Sequence, residues 1–137
     1  MNHDQQMREM GLRFLAEARR GLDAGRSEES VLQNVGWGLE LVLKAALQSQ
    51  GWNDDRCRRE IRHDLLKALD AVEKTVLARP RREARAVVGW LSQGYRGRRI
   101  GERLAADPPP WLLSHAVGEA ERLAALLTPE GQKPKAI

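Results

Sequence analysis

With 137 residues, the chain is long enough for one domain with a single hydrophobic core and too short for two. Hydrophobic residues make up 42% of it and charged residues 31%, which predicts a folded globular protein and excludes wholesale disorder. A single cysteine, Cys57, excludes an internal disulfide. No apolar run reaches the roughly 18 residues of a membrane span and no secretory leader precedes the first helix, so we expect a cytoplasmic protein.

The composition predicts an all-α fold, a bundle of about five helices, because alanine, leucine, glutamate and arginine dominate and no period-two alternation occurs. The first helix is predicted over residues 5–23 and ends at Gly25. Ser27 is the predicted N-cap of a second helix that reaches residue 50. The glycines at 36 and 38 within that helix predict close packing of another helix there.

Three further helices are predicted in the second half of the chain. The third covers residues 55–77, is capped by Asn53 or Asp54, and carries a break or bend at His63-Asp64. The fourth covers residues 81–93, and a glycine-rich turn follows it. The fifth covers residues 110–127 and begins at a proline. Residues 1–127 therefore form the predicted domain, and residues 128–137 form a disordered tail.

Glu40 and Lys44 stand one helical turn apart on an otherwise apolar helix, in the order that favours an ion pair. Because apolar residues flank both, we expect Glu40 to lie beside the core and to anchor a neighbouring segment. His63 is one expected partner, and contact with RNA or another ligand is its alternative role. Asp64 is interpreted as a helix cap or an arginine partner. Lys44 either reaches a phosphate or extends along the surface.

Arginine is concentrated between residues 79 and 103, a segment that contains eight arginines and only two glutamates. Such a block attracts phosphate or an acidic partner, or is simply a solvated helix face. Within it, Tyr95 with Arg96, Arg98 and Arg99 is the predicted ligand-binding or phosphate-binding site, because guanidinium groups match phosphate and an aromatic ring stacks on a base. The alternative is a basic turn that covers the end of the bundle.

Three segments together resemble the HEPN domains (higher eukaryotes and prokaryotes nucleotide-binding). "GLELVLKAALQSQGW" is similar to the second helix of that family, "RHDLLKAL" to the His-Asp-Leu segment that begins a later helix, and "LSQGYRGRRIG" to its tyrosine and arginine-rich turn. The resemblance implies an up-and-down helical bundle, a homodimer, and binding of a nucleotide or RNA. It also implies a partner in a toxin–antitoxin pair, often a small nucleotidyltransferase.

One departure from the family concerns catalysis. Ribonuclease members carry an arginine followed at four to six residues by a histidine on a late helix, and no histidine follows Arg96, Arg98 or Arg99 at that spacing. Arg58 and His63 have the spacing but lie earlier in the chain, so they are weak catalytic candidates.

Three functions therefore remain open from the sequence: a nucleotide- or RNA-binding module, a metal-independent ribonuclease toxin, and a helical protein-interaction domain. The sequence has no zinc-ligand cluster, glycine-rich phosphate loop or paired-carboxylate motif, so no metal and no cofactor is expected.

Overall fold

The computed structural model describes residues 2–76, 79–95 and 99–129, and over these residues it is an all-α helical bundle without a strand. Seven helices are present in the described residues: α1 (His3–Asp23), α2 (Glu28–Ser49), α3 (Asp54–Glu60), α4 (Leu65–Val76), α5 (Arg82–Tyr95), α6 (Ile100–Ala106) and α7 (Leu113–Leu127). None of these helices is long and apolar enough to cross a membrane.

Helix α2 lies at the centre and packs against α1, α4, α5, α6 and α7. Apolar side chains cover most of its circumference, as expected for a helix with neighbours on several sides. Its large side chains that are completely shielded from solvent are Leu32, Val35, Leu39, Val42, Leu43 and Leu47. Burial of each such side chain contributes about 1.5–3 kcal/mol to folding, so α2 carries the largest share of the core.

The crossing of α1 and α2 is closer than side chains normally allow. A Cβ atom on Gly38 would lie 2.6 Å from a methyl carbon of Leu15 and 2.9 Å from the carbonyl oxygen of Gly11, and a Cβ atom on Gly11 would lie 2.9 Å from the carbonyl oxygen of Gly38. Because each glycine meets the backbone of the other helix, the two helices touch backbone to backbone. This contact accounts for the predicted close packing at Gly38.

Several predicted helix ends are confirmed. Gly25 and Gly51 follow α1 and α2 with φ of 71° and 99°, in the left-handed region that favours glycine. The side chain of Ser27 accepts a hydrogen bond from the backbone N–H of Ser30, and Asn53 caps α3 in the same way. Asn53, rather than Asp54, is therefore the cap of the third helix.

The predicted helix over residues 55–77 is two helices, α3 and α4, and the break falls at the expected place. The backbone N–H groups of Ile61 and Arg62 both donate to the carbonyl of Cys57, which closes α3. Arg62 then adopts φ of 55°, and the Asp64 carboxylate accepts from the N–H of Lys67 to start α4. His63 lies in the four-residue turn between α3 and α4.

The prediction also missed α6, which lies in what was expected to be a glycine-rich turn. Ile100 at its start is almost completely buried. Arg103 donates a hydrogen bond to the backbone carbonyl of Trp90 at 2.9 Å, and its guanidinium lies 4.8 Å from the centroid of the Trp90 ring. A seven-residue helix has little intrinsic stability, so these tertiary contacts hold it. With α6 and the divided third helix, the described residues contain seven helices and not five.

The predicted start of the last helix at residue 110 is wrong, because α7 begins at Leu113. Trp111 precedes the helix and packs nearly perpendicular to Trp90, with ring centroids 5.4 Å apart. The indole N–H of Trp90 also donates to the carbonyl of Asp107. These contacts hold the proline segment against α5 in a non-helical path.

The predicted boundary between domain and tail at residue 128 also shifts. Thr128 is buried, and its hydroxyl donates to the carbonyl of Ala124 at 2.7 Å, so it belongs to the folded part. The remainder of the predicted tail, residues 130–137, lies outside the described residues.

Gly38→Ala is expected to destabilise the protein by about 1–3 kcal/mol, because the new methyl group meets backbone atoms that cannot move without separating α1 from α2. Gly89→Ala is the matched control: it lies within α5, and a Cβ atom there meets nothing within 4 Å. That substitution should stabilise the protein by up to about 1 kcal/mol through helix propensity. Urea unfolding of both variants measures the difference, and equal stabilities would contradict the close crossing.

Candidate functional site

A groove of about 790 Å³ opens where the second half of α2 meets α3 and the turn that follows it. We call it the α2–α3 groove. Residues from α1, α2, α3 and the turn line it: Met7, Glu40, Leu41, Lys44, Gln48, Asp54, Cys57, Arg58, Arg59, Arg62 and His63. Its size is within the usual range for a ligand site.

Glu40 is the polar centre of this groove. One carboxylate oxygen lies 2.8 Å from Nδ1 of His63, and the other lies 3.4 Å from Nζ of Lys44. Glu40 and Lys44 each keep only 14% of their side-chain surface exposed, whereas His63 keeps 68%. The expected contact between Glu40 and His63 is therefore present, and it joins α2 to the turn between α3 and α4.

The Glu40 contact orients the imidazole of His63. A carboxylate only accepts hydrogen bonds, so the proton of this contact sits on Nδ1 of His63. Nε2 makes no hydrogen bond to any described residue, and it carries a lone pair in the neutral ring and a proton in the charged ring. His63 is thereby held with one nitrogen free for a ligand or a proton transfer.

Positive charge exceeds negative charge along the groove. The lining contains four basic side chains (Lys44, Arg58, Arg59 and Arg62) and two carboxylates (Glu40 and Asp54), and this count does not include His63. Within the described residues, Arg58 and Arg62 form no ion pair, whereas Arg59 pairs with Asp55 at 3.0 Å. Two guanidinium groups are thus available to an anion.

The backbone at Arg62 is in an unusual conformation. Its φ of 55° makes it the one residue other than glycine with positive φ among the described residues. The left-handed region costs an ordinary side chain about 1–2 kcal/mol, and a glycine would avoid that cost. The chain nevertheless places an arginine there, beside His63 and at the edge of the groove.

The apolar part of the lining includes Met7, Leu41 and Cys57. Burial raises the pKa of the Cys57 thiol above its ordinary value, so it stays protonated and is a poor nucleophile. Among the described residues, no group of three or more His, Cys, Asp or Glu side chains is placed to hold a metal ion. The groove therefore offers cations, an oriented imidazole and an apolar floor.

Asp64 is not among the residues that line the groove, and its contacts are with the start of α4 and with α5. Its carboxylate caps α4 and also accepts from the hydroxyl of Ser92 on α5, at 3.0 Å, while that hydroxyl accepts from the backbone N–H of Leu66. Ser92 is buried, so this small network ties the start of α4 to α5. The interpretation of Asp64 as a helix cap agrees with these contacts.

The arginine-rich turn predicted as the binding site is only partly described. Arg96, Arg98 and the side chain of Tyr95 lie outside the described residues. Arg99 precedes α6, and its guanidinium is 71% exposed and 3.9 Å from Glu102. Arg99 is not among the residues that line the α2–α3 groove, whereas Lys44 is.

Sequence reasoning missed Arg59 and Arg62 as members of the groove. The available signal was spacing, because Arg58 and Arg62 are four residues apart, as are Arg59 and His63. The density of arginine between residues 79 and 103 is the more conspicuous feature of the sequence, and it points to a different segment. Comparison of the chain with models of protein families, with curated proteins and with solved structures found no match.

Arg62→Gly is expected to raise the free energy of unfolding by about 1 kcal/mol, because glycine adopts the left-handed conformation without strain. Arg59→Gly removes the same side chain from inside α3 and should lower it by a similar amount. Thermal and urea unfolding distinguish the two. A loss of stability in Arg62→Gly equal to that in Arg59→Gly would refute the strained turn.

Proposed function

We propose that the chain is a HEPN-like helical module that binds a nucleotide or the phosphate backbone of RNA in the α2–α3 groove. The observation that carries this proposal is the pair of arginines, Arg58 and Arg62, that line a groove with excess positive charge and make no ion pair with a described residue. Most other arginines of the described chain already have a carboxylate partner.

Phosphate suits this groove for two chemical reasons. A guanidinium donates two parallel hydrogen bonds to phosphate oxygens, and Lys44 adds a compact charge beside them. The apolar floor at Met7 and Leu41 favours a ligand with a flat apolar face next to its charge, which describes a nucleotide better than inorganic phosphate.

The HEPN assignment is supported by the way its two motif segments meet. Glu40 and Lys44 belong to the first segment and His63 to the second, and Glu40 contacts both of the others. A chance resemblance in two separate segments gives no reason for them to share one carboxylate. The family assignment and the up-and-down topology remain part of the proposal.

The double variant Arg58→Ala/Arg62→Gly should weaken binding of a labelled single-stranded RNA at least tenfold at moderate salt. Each lost phosphate contact also reduces the slope of log K against log salt by about 0.7, so the slope should fall by about 1.4. Fluorescence anisotropy at several salt concentrations measures both quantities. The glycine at position 62 preserves the turn, so loss of fold does not explain the effect.

The arginine-rich turn supplies the matched comparison. Arg96→Ala/Arg98→Ala removes the same number of charges from the site predicted at the arginine-rich turn. If this variant loses affinity and the groove variant does not, the binding site is the turn, and the groove proposal is wrong.

A second candidate function, a metal-independent ribonuclease, is favoured by the orientation of His63. Glu40 holds Nδ1, which leaves Nε2 free as a general base, and Arg58 lines the same groove. This arrangement of carboxylate, imidazole and nearby cation is the one that acid–base catalysis on a phosphodiester requires.

In that case His63→Ala should lower the cleavage rate of a labelled RNA by about 10²–10⁴. Glu40→Gln keeps the shape of the side chain but removes the charge that holds the imidazole, so it should lower the rate at least tenfold. Replacement of the exposed His115, which lies outside the groove, is the control. Cleavage by purified His63→Ala at the wild-type rate would remove this candidate.

A homodimer is the last part of the proposal, and an apolar strip beside the groove supports it. Phe14 of α1 and Trp37 of α2 pack with ring centroids 5.3 Å apart, and Met10 and Trp37 are 51% and 40% exposed. Phe14, Trp37, Glu40 and Leu41 line a small cavity there. Since Glu40 belongs to both the strip and the groove, a second copy on the strip lies next to the groove.

Light scattering should give the wild type twice the mass of the 15.4 kDa chain, and Trp37→Ser should shift it toward the monomer. Trp52→Phe, at a buried position, controls for a general loss of tryptophan. A monomeric wild type would exclude the homodimer and leave the strip to an antitoxin or nucleotidyltransferase partner.

A further inference from the structure

Helix α3 is the most exposed helix of the described chain. Six of its seven residues are exposed, and only Cys57 is buried. Two ion pairs lie within the helix: Arg56 with Glu60 at 2.7 Å, and Arg59 with Asp55 at 3.0 Å. These pairs stabilise α3 as a helix but do not attach it to the rest of the fold. We call residues 53–63, which contain α3 and the residues on either side of it, the α3 strap.

Side-chain contacts pin the strap at its two ends. At its start, Asp54 accepts a hydrogen bond from Gln48 of α2 at 2.5 Å and lies 3.3 Å from Nε2 of His3. At its end, Nδ1 of His63 lies 2.8 Å from the carboxylate of Glu40. Gln48 and Glu40 are eight residues apart on α2, a distance of about 12 Å along the helix. The strap therefore extends along α2 between these two pins.

Few apolar contacts attach the strap to the core. Its buried side chains are those of Cys57 and Ile61. The guanidinium of Arg56 lies 3.8 Å from the centroid of the ring of Trp52, the buried residue that precedes the strap. Segments with few buried apolar contacts are those that open locally while the remainder of a protein stays folded.

The residues on either side of the strap are fixed to other helices. Trp52 donates its backbone N–H to the carbonyl of Leu47 at 3.2 Å, which holds it to α2. Asp64 caps α4 and accepts a hydrogen bond from the hydroxyl of Ser92 on α5. Within the strap, Arg62 has the left-handed φ of 55°, and this conformation is required only while the strap is closed. Opening of the strap therefore relieves the strain at Arg62.

We propose that the α3 strap opens as one unit between Trp52 and Asp64 while the other helices stay packed, and that its closure assembles the α2–α3 groove. The cations and the imidazole of the groove are divided between two parts of the chain. The strap carries Arg58, Arg59, Arg62 and His63, and α2 carries Glu40 and Lys44. Opening separates these two sets, so the groove is complete only in the closed state. The assembly of the groove rests on the proposed function, whereas the opening of the strap does not.

Cys57 reports the opening directly, because it is the only cysteine of the chain and is buried in the strap. Burial raises the pKa of its thiol, and the thiolate is the reactive form, so the closed state reacts slowly with an alkylating reagent. Labelling by iodoacetamide, followed by mass spectrometry below the urea transition, gives the free energy of opening and its dependence on urea. This dependence scales with the surface exposed, so it should be less than about one third of that for global unfolding. Equal dependences would overturn the strap, since Cys57 would then react only in the unfolded chain.

His63→Ala and Gln48→Ala each remove one pin. Each should speed the labelling of Cys57 in the absence of urea by about two- to tenfold, the effect of losing one hydrogen bond. His115→Ala on α7 and Gln93→Ala on α5 are the matched controls, because both residues are exposed and lie outside the strap. They should label at the wild-type rate. Wild-type rates in both pin variants would also overturn the strap.

Single-stranded RNA separates the assembly of the groove from the opening of the strap. RNA at about ten times its Kd should slow the labelling of Cys57 about tenfold, because a ligand of the closed state stabilises that state. An unchanged labelling rate with RNA that fluorescence anisotropy shows to be bound would overturn the assembly of the groove by the strap. A lack of RNA binding would overturn the proposed function instead, and the urea dependence alone then decides whether the strap opens.

Discussion

The burial of α2 on nearly all sides is the constraint from which the rest of the architecture follows. Five other helices pack on it, and the backbone contact between Gly11 and Gly38 draws α1 so close that α1 covers a full face. Only a narrow stripe of α2 stays open, and it carries Trp37, Glu40 and Lys44. The candidate functions all use this stripe, because it is the part of the central helix that ligands and partners can reach.

The elements that the sequence predicted well are those whose signals are local. Helices α1 and α2 have capping residues at one end and a glycine at the other, and these act within a few residues whatever the rest of the chain does. The contact of Glu40 with His63 was also foreseeable, since a charged residue beside a core requires a partner and a histidine opens the next apolar run.

The features that the sequence did not reveal depend on contacts between distant residues. Helix α6 has a glycine at its second position, so its helical state comes from the burial of Ile100 and the contact of Arg103 with Trp90. The groove depends on the direction that α3 takes after the turn at Gly51, which spacing along the chain does not specify. The density of arginine in the sequence was a poor guide for the same reason. Whether an arginine is available to a ligand depends on its carboxylate partners in space.

The described arginines also differ in whether they have a carboxylate partner. Arg85 joins α4 to α5 through Asp70 and Glu73, and the hydrogen bond that it donates to Glu73 raises the pKa of its guanidinium. Arg62 has no such partner, and its backbone adopts a conformation that glycine would adopt more easily. Within the described residues, the side chain of Arg62 forms no ion pair that would offset the cost of the left-handed backbone. Stability alone would favour glycine there, and the arginine at the edge of the groove is the residue on which the proposed phosphate site depends.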